Sequence, residues 1–320
     1  MKLENYSARF SGKVVRFKMK NRITKGFRNS WQLYILLLIP VVYVFVFHYI
    51  PMYGATLAFR DFNPAKGIME SPWTGFKYFQ RFFSSPSFGT VLTNTLALSV
   101  ENLIFGLPLP IILALALNEC EIKALNKTVQ MVTYAPYFLS TVIMVSLLMQ
   151  WSSLNGGLFN NILAIFGQEP VNLFGSAKYF RPLYIISGMW QFTGFNSIIY
   201  LAALSSVDVS LYEAAKVDGA SKLQKIWHID LPSILPTIIV LLILNCGQIM
   251  NIGFDKVYLM QNNINAQVSE IIATYTYKVG LIDMNFSYST AVGLFNSIVN
   301  VVLLLSVNQL SKKFSETSLW

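Results

Sequence analysis

Six apolar runs, each long enough to cross a bilayer, leave this 320-residue chain few folds to choose from. They fall near Trp31–Ile50, Thr90–Leu117, Thr128–Gln150, Arg181–Leu204, Ile234–Phe254 and Tyr288–Leu310. A hydrocarbon layer about 30 Å thick takes about 20 residues of helix to cross. Backbone amides find no water there, so a run of this length must satisfy them within its own helix. An all-α, polytopic membrane protein with six transmembrane helices follows. Only 12% of the residues are charged, whereas soluble domains carry about a quarter.

Charge orients the spans. Met1–Ser30 holds Lys2, Arg9, Lys13, Arg16, Lys18, Lys20, Arg22, Lys25 and Arg28 against Glu4 alone, or +8 of the formal +9. The basic character is therefore a local tail, which argues against a nucleic-acid surface. Positive residues stay on the cytoplasmic side, so both termini are expected there, the far one bearing Lys312 and Lys313. By these boundaries 16 Lys/Arg lie inside and 8 outside. The first run follows a basic stretch as a signal peptide would, but it is too long, lacks a small-x-small cleavage site and precedes five more spans. It reads as a retained anchor. The organisation is then a basic tail (1–30), a transmembrane domain (31–310) with a cytoplasmic loop (205–233), and a short tail (311–320). The tail would lie against anionic lipid on the cytoplasmic face of the membrane.

Little conventional chemistry is present. Cys120 and Cys246 form no CxxC, and two histidines offer no metal-ligand spacing. His48 falls at the outer end of the first span, as an interfacial ring would. There is no Gly-x-x-x-x-Gly-Lys-Ser/Thr loop, no Gly-x-Ser-x-Gly and no His-Glu-x-x-His. Energy must come from a partner. Phe76, Phe79 and Phe83, at i, i+3 and i+7, suit a short amphipathic helix, lying in the outer headgroups or packing on the bundle.

Between the fourth and fifth spans, Ser210-Leu-Tyr-Glu213 and Ser221-Lys-Leu-Gln224 both fit capping boxes. Two short helices are expected, with Asp218-Gly219 as the turn between them. Leu223, Ile226 and Trp227 make one apolar stripe, with Lys222 and Lys225 facing away. Pro232 falls in the first turn of the next helix, where proline is tolerated.

That loop reads Glu213-Ala214-Ala215, Gly219 four residues on, then Ile229-Asp230-Leu231-Pro232. It resembles the ATPase-docking loop of permease subunits of bacterial binding-protein-dependent ABC importers of type I. Gly75-Phe-Lys-Tyr-Phe, Asn94-Thr95-Leu96, Ala116-Leu117-Asn118-Glu119 and Tyr134-Ala-Pro136-Tyr137-Phe are similar to the sugar-importing branch. So are Gly156-Gly-Leu-Phe-Asn160, Leu211-Tyr212-Glu213 and Phe254-Asp255-Lys-Val-Tyr258. Thr290-Ala-Val-Gly-Leu-Phe-Asn296-Ser and Val307-Asn308 resemble the oligosaccharide subgroup of Firmicutes. The likeness covers roughly residues 30–313. The extra N-terminal spans and large outer domain of the maltose permease subunit have no counterpart, and Trp227 stands where Phe is commoner.

The resemblance implies a heterodimer with a second permease, two ATP-binding subunits that hold ATP and magnesium, and an extracytoplasmic solute-binding protein for a sugar or oligosaccharide. This chain would hold no cofactor and catalyse nothing. Glu213, Ala214, Ala215, Asp218 and Gly219 would form the knob that docks on the ATPase. Leu223, Ile226, Trp227, Leu231 and Pro232 would anchor it to the spans. As a plain alternative, Glu213 only caps its helix.

Two rival classes stay in view. An intramembrane enzyme would use Glu101, about twelve residues into the second span, but no His, Asp or Lys lies mid-span beside it. A secondary transporter would show broken helices, and only Pro108 and Pro110 suggest one. For the substrate path, Trp190, Gln191, Phe195 and Asn196 line the fourth span, and Asn245, Gln248 and Asn251 form a stripe on the fifth. The likeness to the maltose permease favours Gln191, Phe192 and Phe195, and Cys246, Met250 and Gly253 one face over. The amides could equally hydrogen-bond between helices. Glu101 has no basic residue at matching depth and is expected to be protonated or partnered by polar groups.

Overall fold

The computed structural model describes residues 30–315 and 318. The basic tail, residues 1–29, and residues 316–317 and 319–320 of the C-terminal tail lie outside the described residues. The chain divides into two compact units, Met1–Thr56 and Leu57–Trp320.

In the first unit, helix α1 (Trp31–Val44) runs on through a π turn (Phe45–Tyr49) and a single turn (Ile50–Met52). None of its side chains is buried. A helix apolar on every face suits lipid or a partner rather than water.

Among its described residues the second unit consists of helices and the loops that join them, with one isolated bridge between Arg60 and Trp73. The main elements are α2 (Lys77–Phe83), α3 (Pro86–Gly106), α4 (Pro108–Asn118), α5 (Lys123–Tyr134), α6 (Thr141–Trp151), α7 (Leu158–Ile165) and α8 (Ala177–Leu204). Then come α9 (Val209–Val217), α10 (Lys222–Lys225), α11 (Leu231–Gly247), α12 (Phe254–Met260), α13 (Ile272–Tyr277) and α14 (Phe286–Ser315). Four helical stretches are long and apolar enough to cross a membrane, and six if each of two bent pairs is one span.

Local chemistry sets the helix ends. Ser85 accepts from the Ser87 amide ahead of Pro86, whose missing N–H costs nothing in a first turn. Ser140 does the same for α6 through the Ile143 amide. Helix α8 is the axle: it packs on α3, α4, α5 and α11, and α11 packs on α14.

Two spans expected to be continuous are broken. The third bends by 101° between α5 and α6, because a 3-10 stretch at Ala135–Phe138 surrounds Pro136, which lacks an amide to bond backward. The fifth stops at Gly247 and unwinds through Gln248–Gly253 instead of running to Phe254. The expectation that only Pro108 and Pro110 interrupt the spans is thus overturned.

Beside α2 the buried side chains are Tyr78 and Phe82, not the Phe76/Phe79/Phe83 stripe. Phe82 meets Phe88, Tyr275, Tyr288 and Phe295 at ring distances of 5.0–6.3 Å. Phe76 and Phe83 are exposed while Phe79 is half-buried. Asp61 accepts from Tyr78 at 2.6 Å and Lys77 at 3.2 Å. These bonds hold its carboxyl below the usual range, Tyr78 contributing most.

Candidate functional site

A cavity of about 820 Å3 opens where α3, α8, α11 and the unwound segment Gln248–Gly253 converge. Non-helical backbone at membrane depth is tolerated where protein buries it or where it lines a cavity, and both hold here. Asn300 Oδ1 accepts from the Met250 amide at 3.0 Å, and the Ser99 hydroxyl donates to the Ile249 carbonyl. Asn251 donates to Gln248 Oε1 at 2.9 Å and accepts from Asn296 at 2.7 Å. Gly253 is required by close approach: a Cβ there would lie 2.4 Å from the Tyr184 hydroxyl.

Of the path residues expected from sequence, Phe192, Phe195, Asn196, Asn245, Gln248, Asn251 and Gly253 line this cavity. Four do not. Trp190 is nearly half exposed, edge-on to Trp151. Met250 is fully buried in the core with Phe82 and Tyr288, and Cys246 is half-buried outside the lining. Gln191 is buried and donates to the Leu139 carbonyl at 3.0 Å. Leu139 immediately follows the 3-10 break, so Gln191 supplies a bond to backbone at the broken span. Nearby, a Cβ on Gly194 would sit 2.1 Å from the Thr133 carbonyl oxygen, so glycine lets α8 press on α5. Phe195 stacks flat on Tyr137, with ring centroids 3.6 Å apart. The expected Asn245/Gln248/Asn251 stripe is not helical, since the helix ends between its first two members.

Sequence reasoning missed Ser99, Asn102 and Lys256, which also line the cavity. Asn102 adjoins Glu101 and carried a signal as a mid-span amide. Lys256 stands inside the quoted Phe254–Tyr258 stretch, two residues beyond the fifth apolar run, where hydropathy gives no reason to place it at a cavity. Its ammonium is buried, donates to the Tyr184 carbonyl at 2.9 Å, and lies 4.7 Å from that tyrosine's ring centre. Burial pushes Lys256, which lies outside the spans, down to about 7.

Glu101 does have a basic partner. Arg181 Nη1 lies 3.5 Å from its carboxylate, and Arg181 Nη2 donates to Asn94 Oδ1 at 3.0 Å. Both charged side chains are about a third exposed. Residue count along a helix is not depth: α3 starts at Pro86 and α8 at Ala177, both before their apolar runs. A long arginine side chain carries its charge well away from its backbone.

The second candidate region is the loop of α9 and α10. Asp208, not Ser210, caps α9: its carboxylate accepts from the Ser210 amide at 2.9 Å and is held below its usual range by that bond. Ser221 and Gln224 do form the reciprocal box. Helix α9 ends as expected at Asp218-Gly219. The Ala220 amide returns to the Ala215 carbonyl at 2.9 Å, the Gly219 amide to Lys216 at 3.2 Å, and Gly219 has φ +72°. That left-handed cap favours glycine.

The anchoring differs from expectation. Ile226 and Leu231 pack on the core of Ala114, Leu115, Tyr200, Leu204 and Ile234, but Leu223 is 77% exposed, Trp227 69%, and Pro232 is also exposed. Periodicity found the stripe without showing what covers it. Polar contacts fasten the loop instead. Tyr212 donates to the fully buried Asp230, which Asn118 also reaches at 3.5 Å. Lys225 pairs with Glu119 at 3.0 Å and Lys222 with Glu121 at 2.9 Å. Glu213, Ala214, Val217 and Gly219 face outward, while Ala215 is half-buried.

Such a bundle, with broken spans around a cavity lined by amides, aromatics and aliphatics and with a capped loop beyond its spans, has the architecture of a multi-pass transport permease. The chain belongs to the binding-protein-dependent transport system inner membrane component family, whose model matches residues 106–316. It is 46% identical to the polygalacturonan/rhamnogalacturonan transport system permease protein YteP of Bacillus subtilis (strain 168), over 95% of this chain and 94% of that one. A crystal structure of a bacterial ABC transporter involved in the import of the acidic polysaccharide alginate contains a chain similar in fold (TM-score 0.85, 38% identity, 92% of this chain and 99% of that one). A second structure of the alginate transporter, in complex with an alginate pentasaccharide-bound periplasmic protein, matches equally well. The chain is thus a membrane permease of a sugar-type ABC importer and not an enzyme.

Proposed function

We propose that this permease forms, with a second permease of like fold, the translocation path for an oligosaccharide handed over by an extracytoplasmic binding protein. Two ATPases dock on the loop of α9 and α10, and both termini face the cytoplasm with them. ATP and magnesium belong to those subunits. The observation that carries the reading is the cavity of about 820 Å3 at the unwound segment Gln248–Gly253. Asn102, Asn196, Asn245 and Gln248 offer amides for hydroxyls, and Phe192 offers a ring face for a pyranose. The exposed Leu223 and Trp227, with the outward Ala214 and Gly219, supply the docking surface. ATPase closure then moves α8 and α11 through Ile226 and the Tyr212–Asp230 contact. The test is reconstitution of the assembled importer in proteoliposomes. Vanadate-sensitive saccharide uptake that needs ATP and the binding protein supports the reading; uptake driven by an ion gradient without ATP overturns it.

A further inference from the structure

The cavity has one charged lining residue, and that residue has no counter-ion. Among the residues that wall it, Lys256 is the only lysine, arginine, histidine or carboxylate; the rest are amides, hydroxyls, aromatics and aliphatics. Among the described residues no carboxylate comes within ion-pair distance of its ammonium. By contrast Glu101 is matched by Arg181, and Glu270 by Lys278 at 2.9 Å. An ammonium has three donors, and Lys256 places one on the Tyr184 carbonyl. The tyrosine ring takes part of the charge. The other two donors have no hydrogen-bond acceptor among the described residues.

Keeping an ammonium charged at 7% exposure with one acceptor is costly, and a carboxylate brought beside it would supply the missing counter-charge. The neighbourhood keeps space for one. Gly188 has no side chain, and a Cβ there would meet Lys256 Nζ at 3.4 Å and Asn102 Oδ1 at 4.0 Å. The ammonium and an amide therefore face the same open spot on α8.

We propose, resting on the transport reading above, that Lys256 selects an acidic saccharide by pairing with the carboxylate of a uronic acid unit. A carboxylate matches a single ammonium in charge and accepts the donors left over. A phosphate monoester brings nearly two negative charges, and the lining offers a single basic side chain. A neutral sugar would leave the cation unpaired in the loaded state. Asn102 beside it fits a ring hydroxyl next to the carboxylate.

The test uses the assembled importer in proteoliposomes, supplied with trigalacturonate or its fully methyl-esterified form. These differ in charge and little in size. The readout is the ratio of acid to ester uptake in each variant relative to the parent, so that any preference of the binding protein cancels. Lys256→Met lowers that ratio at least tenfold, and Lys256→Arg keeps it within about threefold of the parent. Asn102→Asp puts a carboxylate beside the ammonium without removing it; it lowers the ratio too and carries the test alone if Lys256→Met fails to assemble. A ratio unchanged in Lys256→Met, or in Asn102→Asp where it stands alone, overturns the charge reading and leaves saccharide transport standing. Uptake of the ester but not the acid by the parent importer overturns the charge reading alone, and a parent that moves neither these nor a neutral oligosaccharide with ATP and the binding protein overturns the transport reading too.

Discussion

Removing the Tyr212 hydroxyl tests whether the loop is latched to the spans by the buried acid. Asp230 is 0% exposed, and one of its oxygens, Oδ2, has no hydrogen-bond partner. Its other oxygen holds the phenol, with Asn118 at 3.5 Å as a weak second donor. Tyr212→Phe therefore leaves a buried carboxylate almost without donors. A hydrogen bond to a charged group contributes about 1.5–3 kcal/mol, so about 2 kcal/mol is expected, a factor of about 30 in the population of the undocked loop. The assay is trypsin cleavage after Lys225, which is protected in the docked state by its pair with Glu119. In the regime where reclosing outpaces cutting, the rate follows the opening equilibrium. Tyr212→Phe should raise it by about 30-fold and lower the number of saccharides moved per ATP. Asp230→Asn should cost less, because it leaves no bare charge, and the double variant should resemble Asp230→Asn alone. A cycle giving under about 0.5 kcal/mol of coupling refutes the latch, since contacting pairs commonly show more.

Gly219→Val should block uptake and weaken ATPase retention with normal insertion: φ +72° strains a β-branched residue, while the open space around its Cβ gives no internal clash. Copurification with the ATPase checks it, and full retention with normal uptake sinks the docking role. Gln191→Leu should lower the melting temperature and uptake together, losing a bond worth about 1 kcal/mol plus the cost of a bare carbonyl at Leu139; lost uptake at unchanged stability would return Gln191 to direct substrate contact. Gly194→Ala should prevent assembly, because its Cβ would lie 2.1 Å from the Thr133 oxygen, and normal expression would refute that packing. Arg181→Gln should impair assembly more than the pair Arg181→Gln with Glu101→Gln, since the single change leaves Glu101 charged and alone; equal yields would show the ion pair to be idle.

The loop was the most legible part of the sequence, and the reason is local. Capping, a left-handed glycine and a proline in a first turn each depend on a few neighbouring residues, so Ser221, Gln224 and Gly219 could be placed without tertiary information. Ser210 failed because Asp208, two residues earlier, is an equally good cap and starts the helix sooner. What faces the stripe of Leu223, Ile226 and Trp227 depends on neighbours from elsewhere, and only Ile226 meets the core. Hydropathy likewise located the spans but not the interruptions. The stretch Gln248–Gly253 is apolar enough to extend a helix on paper, and its unwinding rests on Asn300 and Ser99 reaching in from other helices.

Those two interruptions explain why the cavity was half right. A helical wheel drawn through Asn245, Gln248 and Asn251 assumes 3.6 residues per turn, and that assumption fails once the helix ends at Gly247. Asn245, Gln248 and Asn251 still reach the cavity, by a different geometry. Met250 packs into the core, and Asn300 holds its amide. On α8, an unbroken helix, the expected Phe192, Phe195 and Asn196 survive, and the residues lost are Trp190, set edge-on against Trp151, and Gln191, drawn off to the Leu139 carbonyl. The broken third span claims one polar side chain of α8 for its own backbone, and the broken fifth span opens the space that the remaining ones line. Pro136 and Gly253 are the positions at which the sequence marks this division: one withholds an amide from the helix, and the other lets the Tyr184 hydroxyl approach the chain.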